Sequence, residues 1–275
     1  VAADADVTTG SYVHGYREEE AVRLHHQADT LAALLHHDTA YLPAMRVLEV
    51  GCGVGAQTVT LAAHSPGAHI TSLDLAAASV TEARRRVAAA GSSNVAFARA
   101  DIFALPFAAG TFDHVFVCFV LEHLDRPLAA LRRLGELLRP GGTLTVIEGD
   151  HGSTVLHPDD AKARAAIDCL IELQGRAGGD ACIGRRLYPL LVEAGYEEVV
   201  VDPRLVYVDG GHPALVEGFI KKTFTAMVAG VRIDAIAAGL TDAGTFDAGI
   251  RGLLRTAESD GTFGYTFFKA VGVRR

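Results

Sequence analysis

Glu49, Gly51, Gly53 and Gly55, in the stretch VLEVGCGVGAQT from Val47 to Thr58, and Asp74, at the end of HITSLDL, have the types and spacing of a nucleotide site. The apolar run before Gly51 has the pattern of a strand, and the residues after Gly55 have that of a helix. Glycines at such a junction let a ligand lie against bare main chain, and the helix aims its free N-terminal amides at an anionic or electron-rich group. Asp74 falls about 20 residues past the glycines, the spacing at which a carboxylate accepts both hydroxyls of a ribose. Two histidines stand near the ends of later strand-like runs, His123 in LEHL and His151 in EGDHGS, and imidazole can move a proton near neutral pH.

These residues need a scaffold, and the alternation of elements supplies one. RVLEV, HITSLDL, VAFARADI, FDHVFVCFV and TLTVIEGD read as strands. AAASVTEARRRVAAAG reads as a helix stopped by Gly91, and RPLAALRRLGELLRPGG as a helix with Leu128, Leu131, Leu134 and Leu138 on one stripe, closed by Pro140-Gly141-Gly142. Such alternation predicts an α/β fold: a Rossmann-like, mostly parallel sheet with helices on both faces. The chain is expected to form a single domain, with an N-terminal cap helix within 12–44 and a cofactor-binding core over 45–150. Beyond Asp150 the alternation loosens, and 151–182 and 209–258 read as helical insertions that build a substrate pocket. GRRLYPLLVEAG is a further helix, EEVVVDPRLVYV a strand, and GTFGYTFFKAVGV a last strand with Phe263, Tyr265 and Phe267 on one face and Phe268 on the other.

Composition narrows the function classes. With 275 residues and 49% apolar content the chain has ample material for a core. Lys and Arg number 25 against 33 Asp and Glu, a net charge of −8, with no basic block and no aromatics interleaved with cations, so no nucleic-acid partner is expected. Cys52, Cys118, Cys169 and Cys182 form no C-x-x-C pair and read as reduced thiols. The opening VAADADVTTG lacks the basic and apolar regions of a signal peptide, and no apolar run approaches the roughly 20 residues of a membrane span, so a cytoplasmic protein with no membrane partner is expected. The first residue is Val, which suggests a lost initiator Met or a longer natural N-terminus.

The glycines alone leave two cofactor classes open. Gly51, Gly53 and Ala56 satisfy the dinucleotide fingerprint G-x-G-x-x-A, whereas Glu49, Gly51, Gly53 and Gly55 satisfy the E/D-x-G-x-G-x-G pattern of S-adenosylmethionine sites. Ala98 to Glu148 separates them. In order it carries Asp101-Ile102, LPF at Leu105 to Phe107, FD at Phe112-Asp113, LEHL at Leu121 to Leu124 and LRPGG at Leu138 to Gly142. This block, with the glycine motif, resembles the class I S-adenosylmethionine-dependent methyltransferases, specifically the UbiE-like, methyltransferase type 11 group. The resemblance is strong from Val47 to Glu148 and weak elsewhere. It implies seven strands, the last antiparallel, with the cofactor across the strand ends. Glu49 and the main chain of Gly51, Cys52 and Gly53 would hold the methionine moiety, Asp74 the ribose, and Leu75 would line the adenine. Asp101 would accept from the adenine amine, Ile102 would donate to a ring nitrogen and Phe103 would pack on the ring face. Cys118 or Phe119 would offer a carbonyl near the sulfonium, and Tyr16, in an N-terminal segment that folds over the cofactor in related enzymes, would shield the methionine end.

Methyl transfer is an in-line displacement that positioning alone can drive; a base is needed only where the accepting atom carries a proton. His151 is the first choice for that base or for an orienting residue, and His123 the second. The fourth strand ends in VCFV without a carboxylate for a hard cation, so no metal is expected. An Asn/Asp-Pro-Pro-aromatic stretch for a flipped base is absent, Leu121-Glu122-His123-Leu124 standing there instead. The expected acceptor is a small organic molecule methylated on O, N or C, its pocket lined from Tyr207, Phe219, Phe224 and Met227. A protein or peptide acceptor, a non-catalytic S-adenosylmethionine-binding protein and, most distantly, a nicotinamide oxidoreductase are the alternatives. The histidine pairs His25-His26 and His36-His37 read as exposed surface, and the N-terminal helix as a possible homodimer contact.

Overall fold

A computed structural model describes residues 30–275, and its sheet is organised around two apolar strands. β1 (Arg46–Val50) and β4 (Phe112–Cys118) bury nearly every side chain, the pattern of strands covered on both faces. They pair in parallel, Leu48 opposite Val115 and Val50 opposite Val117. β2 (His69–Asp74) and β3 (Val95–Arg99) add in parallel beyond β1, and β5 (Leu138–His157) beyond β4. β7 (Thr262–Arg274) runs antiparallel between β5 and β6 (Tyr196–Asp209). The order is β3-β2-β1-β4-β5-β7-β6, the Rossmann-like sheet with its last strand reversed. The chain builds outward from β1 through β2 to β3 and then crosses to β4 on the other side, so the carboxyl ends of β1 and β4 flank a topological switch point, where open α/β sheets bind ligands.

Helices cover both faces. A helical segment over 30–36 (α1), α2 (Ala56–His64), α5 (Ala161–Arg176) and α10 (Ala243–Arg255) pack on one side, and α4 (Pro127–Leu137) with α6 (Leu187–Ala194) on the other. α3 (Ala77–Ala89) lies against α2. After β6 a short α7 (Pro213–Leu215) runs into a π-helical stretch, Val216–Thr225, followed by α8 (Ala226–Gly230) and α9 (Arg232–Ala237). α10 sits close on α5 because Gly249 and Gly252 present no side chain to Ala166 and Ala163. No helix among the described residues is long and apolar enough to cross a membrane.

The helix preceding the sheet ends at residue 36, inside the range expected for it, and Ala44, at φ 66°, then turns the chain into β1. Two sequence expectations are corrected. Leu138 belongs to β5, not to the α4 stripe, because it pairs with Phe112 of β4; α4 buries Ala130, Leu131, Leu134 and Leu137 instead. β5 does not stop at Asp150 but continues to His157, so the boundary expected between core and insertion falls inside a strand. A register shift between Asp150 and Val155 accommodates the extra residues, and short side chains satisfy the main chain there. Ser153 Oγ accepts from the Thr266 amide at 2.9 Å and donates to the Asp150 carbonyl at 2.7 Å, while Thr154 Oγ1 donates to the His151 carbonyl at 2.8 Å.

The carboxyl end of α1 is fastened by buried charge. Arg204 of β6 and Lys269 of β7, 4% and 5% exposed, converge on Asp38: Arg204 Nη2 donates to Oδ2 at 2.5 Å and Lys269 Nζ to Oδ1 at 2.6 Å. Arg204 Nη1 also donates to the carbonyls of Leu34 and Leu35 at 2.8 and 3.0 Å, filling groups that a helix end leaves open. His36, expected at the surface, is fully buried, its Nε2 2.6 Å from Gln57 Oε1 on α2. Burial lowers its pKa to about 4, so it is neutral at physiological pH. His37 is exposed as expected; His25-His26 lie outside the described residues.

Candidate functional site

Three glycines build the turn after β1 for different reasons. Gly51, Gly53 and Gly55 have φ of 75°, 50° and 79°, a region costly to residues that carry a Cβ. A Cβ on Gly51 would overlap the Val120 side chain, and one on Gly55 would lie 2.7 Å from Ala83 Cα in α3. At Gly53 nothing lies within 4 Å. Two glycines thus permit close packing, and the middle one leaves open space over bare main chain.

The turn is tied to β2. The amides of Gly51 and Cys52 both donate to the Leu73 carbonyl at 2.8 Å, and the Gly53 amide donates to Asp74 Oδ2 at 2.8 Å. Asp74 Oδ1 accepts from the Ala76 amide at 2.9 Å. Burial raises the Asp74 carboxyl above its ordinary pKa, against the pull of these bonds. Glu49 lies beneath the turn, 2% exposed, and its Oε2 accepts from Thr58 Oγ1 at 2.7 Å and Ser72 Oγ at 2.6 Å. Burial pushes this carboxyl up to about 7 despite both hydroxyls. Cys52 is buried, and burial raises its thiol far above the range of a reactive cysteine.

The remaining residues expected at the cofactor follow β2, β3 and β4. Leu75 is exposed after β2, its carbonyl receiving Arg99 Nε at 2.8 Å. Asp101, beyond β3, accepts from the Phe103 amide at 2.9 Å; Ile102 is buried, and the Arg126 guanidinium stands 4.6 Å over the half-buried Phe103 ring. Cys118 closes β4, buried, opposite Ile147. Phe119 follows with φ 57°, a left-handed residue with a Cβ, of the kind that persists where surrounding contacts hold it. Its amide donates to the Ile147 carbonyl at 2.9 Å and its ring packs 5.5 Å from that of Phe267. Tyr16 lies outside the described residues.

The acceptor side differs more from expectation. His151 is not in a loop: it sits on β5, 4% exposed, at the start of the bulge between Asp150 and Val155, its amide donating to the Ala181 carbonyl at 3.0 Å. Its Nδ1 is 3.0 Å from Tyr265 Oη. Tyr265 is buried and comes this close because Gly149 has no Cβ, which would overlap the phenol oxygen. Burial holds the Tyr265 hydroxyl well above its usual pKa, so it stays neutral. Phe224 stands 5.9 Å from the His151 ring, and Phe219, Phe263 and Phe267 complete an aromatic cluster with Tyr265. Phe219 and Phe224 are fully buried in this cluster and Met227 is half-buried beside it, whereas Tyr207, expected with them, is 52% exposed on the opposite face of β6. His123 ends a 3-10 turn, Leu121–His123, with Nε2 3.6 Å from Glu122 Oε1. Asp150 is engaged by Arg185 through two bonds of 2.7 Å.

Thr58, Ser72, Tyr265 and Val120 are contacts that the sequence reading passed over. Ser72 was accessible to it, since parallel pairing of β1 with β2 sets Glu49 directly opposite Ser72. Tyr265 was not, because its partner depends on the bulged β5–β7 register.

Comparison with known proteins places this geometry among relatives. Residues 47–142 match a family model described as a methyltransferase domain. An uncharacterized 37.1 kDa protein in a transposon of Streptomyces fradiae is 34% identical over 191 residues, covering 68% of this chain and 54% of its own length. The demethylmenaquinone methyltransferase of Thermus thermophilus is 37% identical over 103 residues, covering 38% of this chain and 46% of its own. The chain spans about half the length of both relatives. Among solved structures, phosphoethanolamine N-methyltransferase 2 of Haemonchus contortus, bound to phosphomonomethylethanolamine and S-adenosylhomocysteine, superposes with a TM-score of 0.58 at 15% identity, over 94% of this chain and 58% of its own. That likeness bears on the fold.

Proposed function

We propose that the chain, whose residues 47–142 match a methyltransferase domain, is a class I methyltransferase that transfers the methyl group of S-adenosylmethionine to an O, N or C atom of a small organic acceptor. The carrying observation is the open turn at Gly53 beside Asp74, at the switch point of a sheet whose matched segment is a methyltransferase domain. The residues present fit the cofactor. Bare main chain with nothing within 4 Å at Gly53 admits the ligand, Asp74 suits ribose hydroxyls, and the acid beneath the turn, Glu49, suits a cation. Bound there, S-adenosylmethionine would supply an electrophilic methyl on a positively charged sulfur.

The chain's own residues then position and exclude. Asp74, pre-set by the Gly53 and Ala76 amides, fixes the ribose. Leu75, Asp101, Ile102 and Phe103 would hold the adenine, and Cys118 or Phe119 would offer a main-chain carbonyl to the methionine end. Glu49 stays beneath the turn and acts through its charge. Buried aromatics keep water from the acceptor side, and Tyr265 fixes the ring of His151, which orients the acceptor or takes its proton. His123 is the weaker candidate, one turn from β4 and beside Glu122. The relative that methylates demethylmenaquinone favours a small-molecule acceptor.

Calorimetric titration with S-adenosylmethionine, S-adenosylhomocysteine and NADH tests the reading. Both adenosyl ligands are expected to bind and NADH not to; binding of NADH alone, or of none of the three, overturns it. A cationic ligand also draws Glu49 below its value near 7, so binding at pH 7 is expected to release a fraction of a proton, seen as a heat that depends on the buffer's ionisation enthalpy. Once an acceptor is found by screening, Tyr265→Phe is expected to lower kcat several-fold, about 1 kcal/mol, with the Kd of S-adenosylhomocysteine unchanged. An unchanged kcat would remove His151 and Tyr265 from the reaction.

A further inference from the structure

Glu148 is fully buried in β5, yet among the described residues its carboxyl faces no side chain of opposite charge. Its Oε1 accepts from the amides of Val120 and Leu121 at 3.0 and 2.8 Å, and Oε2 has no hydrogen-bond partner among the described residues. The amides belong to the turn after β4, and several contacts meet there. Phe119, in its left-handed conformation, turns the strand end toward the aromatic cluster. Val120 occupies the space that a side chain on Gly51 would need. The Glu122 carbonyl accepts from Gln174 Nε2 of α5 at 2.9 Å and from the Asp180 amide at 2.8 Å. One turn thus touches the glycine loop on one side and the helical insertion on the other.

We propose that Glu148 is a positioning residue of the cofactor site, which holds the Phe119–Leu121 turn through two main-chain amides and so seats Val120 against the glycine loop. The inference rests on the reading of that crevice as the S-adenosylmethionine site. Two buried amides of a turn that contains a left-handed phenylalanine have no regular strand or helix partner, and a carboxyl oxygen from the neighbouring strand replaces one. Burial, reinforced by the nearby Glu122 carboxyl, pushes Glu148 well above the ordinary carboxylate range. Glutamine, nearly isosteric, can present the same accepting oxygen to both amides; alanine cannot. Val120 is the second link, since its side chain carries the turn's position to Gly51.

The test uses the whole chain and S-adenosylhomocysteine as probe, titrated calorimetrically at a temperature well below every Tm. Glu148→Ala and Val120→Gly are expected to bind about tenfold more weakly than the parent, and Glu148→Gln within about threefold of it. Leu253→Ala, a core truncation in α10 outside the crevice, supplies a comparably destabilised control that is expected to bind like the parent. If Glu148→Ala and Val120→Gly bind like the parent while only their Tm falls, or if Glu148→Gln loses as much affinity as alanine, the positioning role is wrong. Should Glu148→Ala fail to fold, Val120→Gly against Glu148→Gln decides on the same criterion. A parent that does not bind the probe would instead overturn the cofactor reading, a separate outcome.

Discussion

Gly53→Ala is expected to fold and to lose S-adenosylmethionine, whereas Gly55→Ala is expected to lose much of its fold. The two positions are neighbours in one turn with nearly the same sign of backbone torsion, yet they face different things. At Gly53 a methyl group meets nothing within 4 Å in the chain itself, so the cost to the protein is only that of an alanine at φ 50°, about 1 kcal/mol. Such a methyl stands in the space that the ligand needs. Binding is expected to weaken at least tenfold, about 1.4 kcal/mol. At Gly55 the added carbon lies 2.7 Å from the Ala83 Cα, and a backbone atom in α3 cannot swing aside. Strain at φ 79° adds to that overlap, and a loss of about 3 kcal/mol follows. Urea unfolding and calorimetry on the two variants separate the effects. If Gly53→Ala bound S-adenosylhomocysteine like the parent, the ligand would not lie over this turn.

The same turn shows how far sequence carries. Its three glycines, Asp74 and the acid at position 49 announce a nucleotide-binding strand–turn–helix because each is required by geometry that one local segment defines. The strand order follows too, since parallel strands joined by helices have few right-handed arrangements. Local signals fail where a contact depends on distant pairing. EGDHGS reads as a loop because two glycines and four polar residues crowd it, but β7 pairs with Glu148 to Asp150 and resumes at Val155, and the bulge between is closed by Ser153 and Thr154. The consequence reaches the site: His151 becomes a buried strand residue held by Tyr265 rather than a solvated one. Tyr207 fails for a related reason. Strand alternation puts it on the face opposite Val206 and Val208, and helical or apolar character in its surroundings cannot report which face is covered. His36 was misread because a histidine pair looks like surface; Gln57, on another helix, gives it a buried partner.

Asp38→Ala is expected to cost about 3 kcal/mol of stability, although Asp38 itself is half-exposed and its own screening is substantial. The loss arises from the groups left behind. Arg204 and Lys269, with side chains 3% and 6% exposed, both end on this carboxylate, so its removal leaves two buried cations facing each other. The α1 carbonyls of Leu34 and Leu35 and the Thr39 hydroxyl remain as partners, which holds the loss near the lower end of what a broken buried pair costs. A double replacement, Asp38→Ala with Lys269→Met, removes one of those cations and is expected to recover part of the loss. The pH dependence has a definite sign. Burial opposes the charged form of Asp38, but the bonds and charges of Arg204 and Lys269 outweigh it and hold the folded-state pKa well below the ordinary 3.8. The carboxylate's contribution is therefore fully present above pH 4 and is lost as the pH falls from there toward the depressed folded-state value. Urea midpoints measured from pH 7 down to pH 3 are expected to decline more steeply for the parent than for Asp38→Ala, so that the gap between them narrows in acid. Two parallel curves would show that Asp38 carries no linked charge, and that the end of α1 is fastened by the arginine's bonds to the helix carbonyls alone.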